Sequence, residues 1–160
     1  MTPSGGTDRH RLLATMHEVI KAVRLLKQDR PPTCTGVPVG TVGVLSEIRA
    51  RETTGCHAKE LAAGNALDPS TISRAVAALV RAGLVVRSAD PADGRASTLH
   101  LTDQGRNVLD AAQAHYQARF AAALHDWSPE EINAFTASLQ RFARDLIDQH
   151  THAPELEAAR

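Results

Sequence analysis

Aromatic side chains are scarce in this chain: three Phe, one Trp and one Tyr among 160 residues. A core built on rings is therefore excluded, and burial must rest on Leu, Val, Ile and Ala. Cysteine is scarce too. Cys34 and Cys56 alone do not make a secreted disulfide scaffold. No apolar run approaches the ~20 residues of a membrane span. The start, Met1 to Asp8, has no hydrophobic signal-peptide core, so the expected compartment is the cytoplasm. Neither sign of charge is in excess, with 18 Lys and Arg against 18 Asp and Glu. Placement matters more than the sum. Residues 57–107 carry 6 basic against 5 acidic side chains, and residues 108–160 carry 4 against 8. Such a chain would act through a few positioned arginines and helix ends. It has no Gly-rich phosphate loop and no nucleophile–base–orienter arrangement, so neither catalysis nor a cofactor is expected.

What is present is periodicity. Residues 1–8 are small and polar and read as a disordered start. From Arg9 to Arg30, Leu12, Met16, Val19, Val23 and Leu26 recur in steps of four and three, a heptad-like seam that Pro31-Pro32 ends. A second seam, Ile132, Phe135, Leu139, Phe142 and Leu146, follows Ser128-Pro129-x-Glu131. That start is a capping box with proline where its missing N–H costs nothing. Either seam can pack on its own core or on a partner chain; their occurrence at both ends favours a partner. Leu12, Met16, Val19, Val23, Phe135, Leu139, Phe142 and Leu146 are the dimer-interface candidates. Between the seams come a helix over Val39–Arg51, a short helix over Ala58–Ala63, a helix over Pro69–Ala82, two strands, and a longer helix from Thr102. The predicted class is mainly α with a small β-hairpin wing, a winged helix-turn-helix flanked by N- and C-terminal dimerisation helices. The divisions are a disordered start (1–8), a dimerisation helix and loop (9–38), a DNA-binding domain (39–102), C-terminal dimerisation helices (103–150) and a frayed tail (151–160).

The helix from Pro69 is the best specified. Asp68 can cap it, Pro69 fixes its first turn, and Gly83 supplies the left-handed stop. Ile72, Val76, Leu79 and Val80 are the expected inward face. Pro69, Ser70, Thr71, Ser73 and Arg74 occupy the first turn and a half, where a recognition helix meets base edges. Arg74 suits guanine O6 and N7, while the hydroxyls serve bases or phosphates. Lys59 is a candidate phosphate contact. In the hairpin, Arg87, Asp90, Asp93 and Arg95 are the wing candidates. The carboxylates can hold the loop, and Arg95 can enter a narrow minor groove or form an ion pair within the loop.

These segments resemble the multiple-antibiotic-resistance-regulator (MarR) family of bacterial transcription factors. The likeness rests on Lys59-Glu60-Leu61-Ala62, Leu67 to Arg74, Ala82-Gly83-Leu84-Val85, Asp90-Pro91-Ala92-Asp93-Gly94-Arg95 and Leu101-Thr102-Asp103-Gln104-Gly105. It covers the middle third in sequence and the whole chain in helix order. The resemblance implies a homodimer on double-stranded DNA bearing an inverted repeat, in many members a repressor. It also implies release by a small aromatic or phenolic effector held between the dimerisation helices and the DNA-binding lobe.

Two rivals remain at this stage. A cysteine redox sensor would need Cys34 or Cys56 exposed and acidified; Cys34, in a loop after two prolines, is expected to be exposed. A winged helix can also dock a protein instead of DNA. The eight histidines have no pair at the close spacing of a zinc site, and no metal is assigned.

Overall fold

The computed structural model describes residues 4–34, 36–38, 40–64, 68–90 and 97–157. The order is α1 (Ser4–Gln28), a 3-10 turn (Pro32–Cys34), α2 (Thr41–Ala50), α3 (Ala58–Gly64), α4 (Pro69–Arg81), β1 (Val85–Ala89), β2 (Ser97–Leu101), α5 (Asp103–Ala123) and α6 (Pro129–Glu157). The chain is mainly α-helical with one antiparallel hairpin, the class that the periodicity predicts. It forms two compact units, Met1–Arg119 and Phe120–Arg160. None of the helices in the described residues is long and apolar enough to cross a membrane.

The first unit closes around an aliphatic core. Leu45 and Ile48 of α2, Leu61 of α3, Ile72, Val76 and Leu79 of α4, Leu99 of β2 and Leu109 of α5 each expose 1% or less. Fully burying one such side chain contributes about 1.5–3 kcal/mol. Tyr116 is the one aromatic packed against this core among the described residues, and only partly buried. On the core's edge, Arg49 of α2 donates to Asp110 and Gln113 of α5, and Arg106 of α5 pairs with Glu52.

In the second unit the expected capping box is present. Ser128 N–H donates to Glu131 Oε2 at 2.8 Å, and Glu131 N–H donates to Ser128 Oγ at 3.2 Å. Trp127 meets Phe135 edge to face, ring centres 5.5 Å apart. Among its described residues no side chain is fully buried: Trp127, Phe135, Leu139, Leu146 and Ile147 stay exposed.

Several boundaries differ from expectation. α1 begins at Ser4, inside the stretch read as a disordered start, and α6 continues to Glu157, through most of the presumed frayed tail. Adding a residue to an existing helix avoids the cost of nucleation, so polar ends extend helices that their neighbours have begun. Val80, placed on the inward face of α4, is 36% exposed. The core-facing stripe is the narrower Ile72, Val76, Leu79 set, and one more step of ~100° carries Val80 off it. Thr98, on the face of β2 opposite Leu99 and Leu101, is buried as they are. The Cys56 carbonyl accepts from Leu99 N–H at 2.9 Å, so the segment before α3 lies along β2. Thr98 Oγ1 bonds His100 Nε2 at 2.9 Å on that covered side.

Candidate nucleic-acid interface

Local chemistry fixes both ends of α4. Asp68 is its N-cap: Oδ1 accepts the Thr71 N–H at 2.9 Å, and Pro69 opens the helix. The Ser70 hydroxyl also donates to Oδ1, and the Thr71 hydroxyl to Oδ2, each at 2.5 Å. These bonds, the Ser70 hydroxyl foremost, hold the Asp68 carboxyl well below the usual carboxylate range. At the other end Gly83 is left-handed, with φ +70°. Gly83 N–H donates to Val80 O and Leu84 N–H to Leu79 O, both at 3.0 Å. That pair of crossed bonds is a Schellman motif, which glycine enters without a side-chain clash.

The next joint explains the Leu-Thr-x-x-Gly segment. Thr102 Oγ1 accepts Gly105 N–H at 3.0 Å, capping α5, and its own proton goes to Gly83 O at 2.7 Å. Thr102 N–H donates to Leu84 O at 3.0 Å. A Cβ on Gly105 would lie 2.1 Å from that same Leu84 carbonyl oxygen. Only glycine permits so close an approach, so one residue seats α5 against the chain entering the wing.

β1 and β2 pair in register from Val85 opposite Leu101 to Ala89 opposite Ser97. Where β1 enters the turn, Asp90 Oδ2 lies 3.2 Å from His57 Nε2, the residue before α3. The spacing predicts only that the Asp90 carboxylate holds the loop; its histidine partner is contributed by tertiary packing. Asp93 and Arg95, with the rest of the tip, lie outside the described residues, as do Asn65, Ala66 and Leu67 of the turn before α4.

Of the predicted recognition residues, Pro69, Ser70, Ser73 and Arg74 are exposed and Thr71 is half-buried, all on the first turn and a half of α4. Arg74 Nη2 donates to Thr71 Oγ1 at 3.3 Å, so the guanidinium lies over the cap. Arg87 on β1 and Lys59 on α3 are exposed. Of the interface candidates, Leu12, Val19, Val23, Phe135, Leu139 and Leu146 are exposed, and Met16 and Phe142 are half-buried. What sequence reasoning missed is the double hydroxyl grip of Asp68. The Asp-x-Ser-Thr spacing carried that signal, because both hydroxyls fall within reach of a capping carboxylate.

Both cysteines are buried, which corrects the expectation of an exposed Cys34. The 3-10 turn folds Cys34 inward, and burial pushes the Cys56 thiol up to about 11. A sensor thiol needs exposure and acidity, and Cys56 has neither, so the redox rival loses its footing there.

A separate cavity of about 540 Å³ lies in the first unit, walled by Lys27, Arg30, Ser46, Leu109, Gln113 and Tyr116. Arg30 is partly committed to the wall, donating to Val37 O at 2.6 Å. Burial pushes the Tyr116 phenol up, further from ionisation.

The chain is similar to known proteins across this same region. Residues 35–96 match the MarR family profile. The uncharacterized HTH-type transcriptional regulator YxaD of Bacillus subtilis (strain 168) is 41% identical over 90 residues, 56% of this chain and 63% of YxaD. The match thus spans less than two thirds of that relative's length. Among solved structures, a MarR family transcriptional regulator from Rhodococcus sp. RHA1 superposes with a TM-score of 0.65 at 26% identity, covering 89% of this chain and 98% of its own. The PcaV transcriptional regulator of Streptomyces coelicolor, solved in complex with its natural ligand, gives 0.60 at 27% identity, covering 89% and 93%.

Proposed function

Because the chain belongs to the MarR family, we propose that it is a cytoplasmic, homodimeric, sequence-specific DNA-binding transcription regulator, not an enzyme, and that it represses. The observation that carries the reading is the first turn of α4. Ser70, Ser73 and Arg74 face solvent on a helix rigidly closed at both ends. Such a helix is suited to the major groove, and two of them about one DNA turn, ~34 Å, apart would read the half-sites of an inverted repeat. The exposed apolar seams of α1 and α6 support pairing with a second copy. Lys59 and Arg87 would flank the recognition helix on phosphates, with Arg95 in the adjacent minor groove. A dimer seated on a promoter represses by occupying it.

The cavity supports an effector. Two cationic side chains, Lys27 and Arg30, share its wall with a phenol and a leucine. That lining suits a small aromatic or phenolic compound carrying an acid group. That PcaV was solved with a natural ligand supports an effector role for the cavity, whatever the ligand's chemistry. An effector releases DNA only if it binds the two dimer shapes with unequal affinity.

The test is a gel shift of the full chain on DNA from its own upstream region. Affinity is expected to fall steeply as salt rises, by counterion release, and two chains should bind each site. No preference over random duplex at any salt would sink the reading.

A further inference from the structure

We infer that the Asp68 carboxylate sets the direction of the Ser70 and Thr71 hydroxyls and so makes the opening of α4 a reader of hydrogen-bond donors in the major groove. This inference rests on the proposed DNA-reading role of α4.

A hydroxyl has one proton to give and two lone pairs to offer. Left to rotate, it serves a base-edge donor or acceptor equally well, and discriminates poorly. Here neither hydroxyl is left to rotate. Ser70 Oγ lies 2.5 Å from Asp68 Oδ1, and Thr71 Oγ1 lies 2.5 Å from Oδ2. An ionised carboxylate only accepts, so the single proton of each hydroxyl points at Asp68. What each oxygen presents elsewhere is lone pairs. Thr71 already shows this use, its oxygen accepting from Arg74 Nη2 at 3.3 Å.

In the major groove the exocyclic donors are adenine N6 and cytosine N4, whereas guanine O6 and thymine O4 accept. A hydroxyl with its proton turned away matches A or C on the strand it faces and meets G or T lone pair to lone pair. Arg74, all donors, has the opposite preference. The opening of α4 thus holds readers of both polarities side by side.

Helix capping alone does not require this residue. Asn and Ser cap about as well as Asp, and a negative charge facing DNA phosphates weakens binding. The particular capacity of the carboxylate is to accept an N–H and two hydroxyls at once. Asp68 is therefore a positioning residue that acts through Ser70 and Thr71.

The discriminating variant is Asp68→Asn. Its carbonyl still caps the Thr71 N–H, while its amide now donates toward a hydroxyl oxygen and frees that hydroxyl's proton. The experiment selects binding sites from randomised duplex with the full-length wild type, Ser70→Ala, Thr71→Val and Asp68→Asn, followed by sequencing. Circular dichroism checks helix content. Base pairs whose preference vanishes in Ser70→Ala or Thr71→Val mark where each hydroxyl reads. In the wild type, replacing the A or C of such a pair by an analogue without its exocyclic amine should weaken binding, while replacing the major-groove carbonyl of the paired T or G should not. Asp68→Asn should cut the preference at one or both by about fivefold or more, the scale of one mismatched pair. Losing a negative charge shifts affinity for all sequences together, so the relative preference isolates the hydroxyl effect.

Binding that depends on the G or T carbonyl instead of the A or C amine at those positions, an unchanged preference in Asp68→Asn, or no position sensitive to either hydroxyl would each overturn the inference while leaving DNA reading intact. A wild type that selects no sequence at all overturns the DNA-reading role and this inference with it.

Discussion

The body of the winged helix and the long helix α6 use apolar residues in opposite ways. From α2 to the middle of α5, Leu, Ile and Val are sealed to 1% exposure or less at position after position. Along α6, Phe135 is 49% and Leu146 59% exposed, although both lie on a periodic seam as regular as any in the body. Regular spacing therefore says that a face is apolar, not what covers it. The body satisfies its own chain; α6 carries surface whose burial needs something more, in our reading a second copy.

The strongest way to break the body is at its tightest contact. Gly105→Ala should cost about 3 kcal/mol or more, because a backbone carbonyl cannot step aside as a side chain can. Urea unfolding measures it, and a variant as stable as the wild type would refute the contact. Leu79→Ala should cost about 2–5 kcal/mol by leaving a cavity, and an unchanged unfolding midpoint would count against its place in the core. The contrast with α6 sharpens with Leu139→Glu combined with Leu146→Glu. Sedimentation should show these chains as monomers that keep their helical signal, and a persisting dimer would put the interface elsewhere.

On the exposed face of the body, Arg74→Ala should leave folding untouched, cost about 1–3 kcal/mol of DNA affinity and relax one base pair per half-site. Full affinity and selectivity in that variant would remove Arg74 from the reading surface. The smallest effect is confined to alkaline pH. The Cys56 thiol is raised in the folded chain, so its contribution is whole below the unfolded thiol value of about 8.5 and is lost as pH climbs toward about 11. Stability should decline across that window, and less so in Cys56→Ala; equal slopes would show that other groups govern it.

Features decided by neighbouring residues were legible in the sequence. Asp68-Pro69 and Gly83 mark the ends of α4, and Ser128-Pro129-x-Glu131 the start of α6, because caps are chemistry between residues a few positions apart. The heptad seams and the hairpin were legible for the same reason. Features decided by distant partners were not. The burial of Cys34 and Thr98 depends on which segments fold over them. His57 meets Asp90 only once the wing stands beside α3. Gly105 could be noticed as a motif position, but nothing nearby in the chain announces the Leu84 carbonyl against it. The outward turn of Val80 escaped because a stripe and its flank differ by a single step along the helix.

The bare contact between Gly105 and Leu84 has a mechanical consequence. With no methyl group as padding, α5 and the root of the hairpin touch backbone to backbone, and Thr102 stitches both to the end of α4. Leu109, Gln113 and Tyr116, further along the same helix, form part of the cavity wall. In our reading, an effector held against that wall would bear on a helix whose first turn meets the root of the hairpin backbone to backbone, so its displacement would reach the wing.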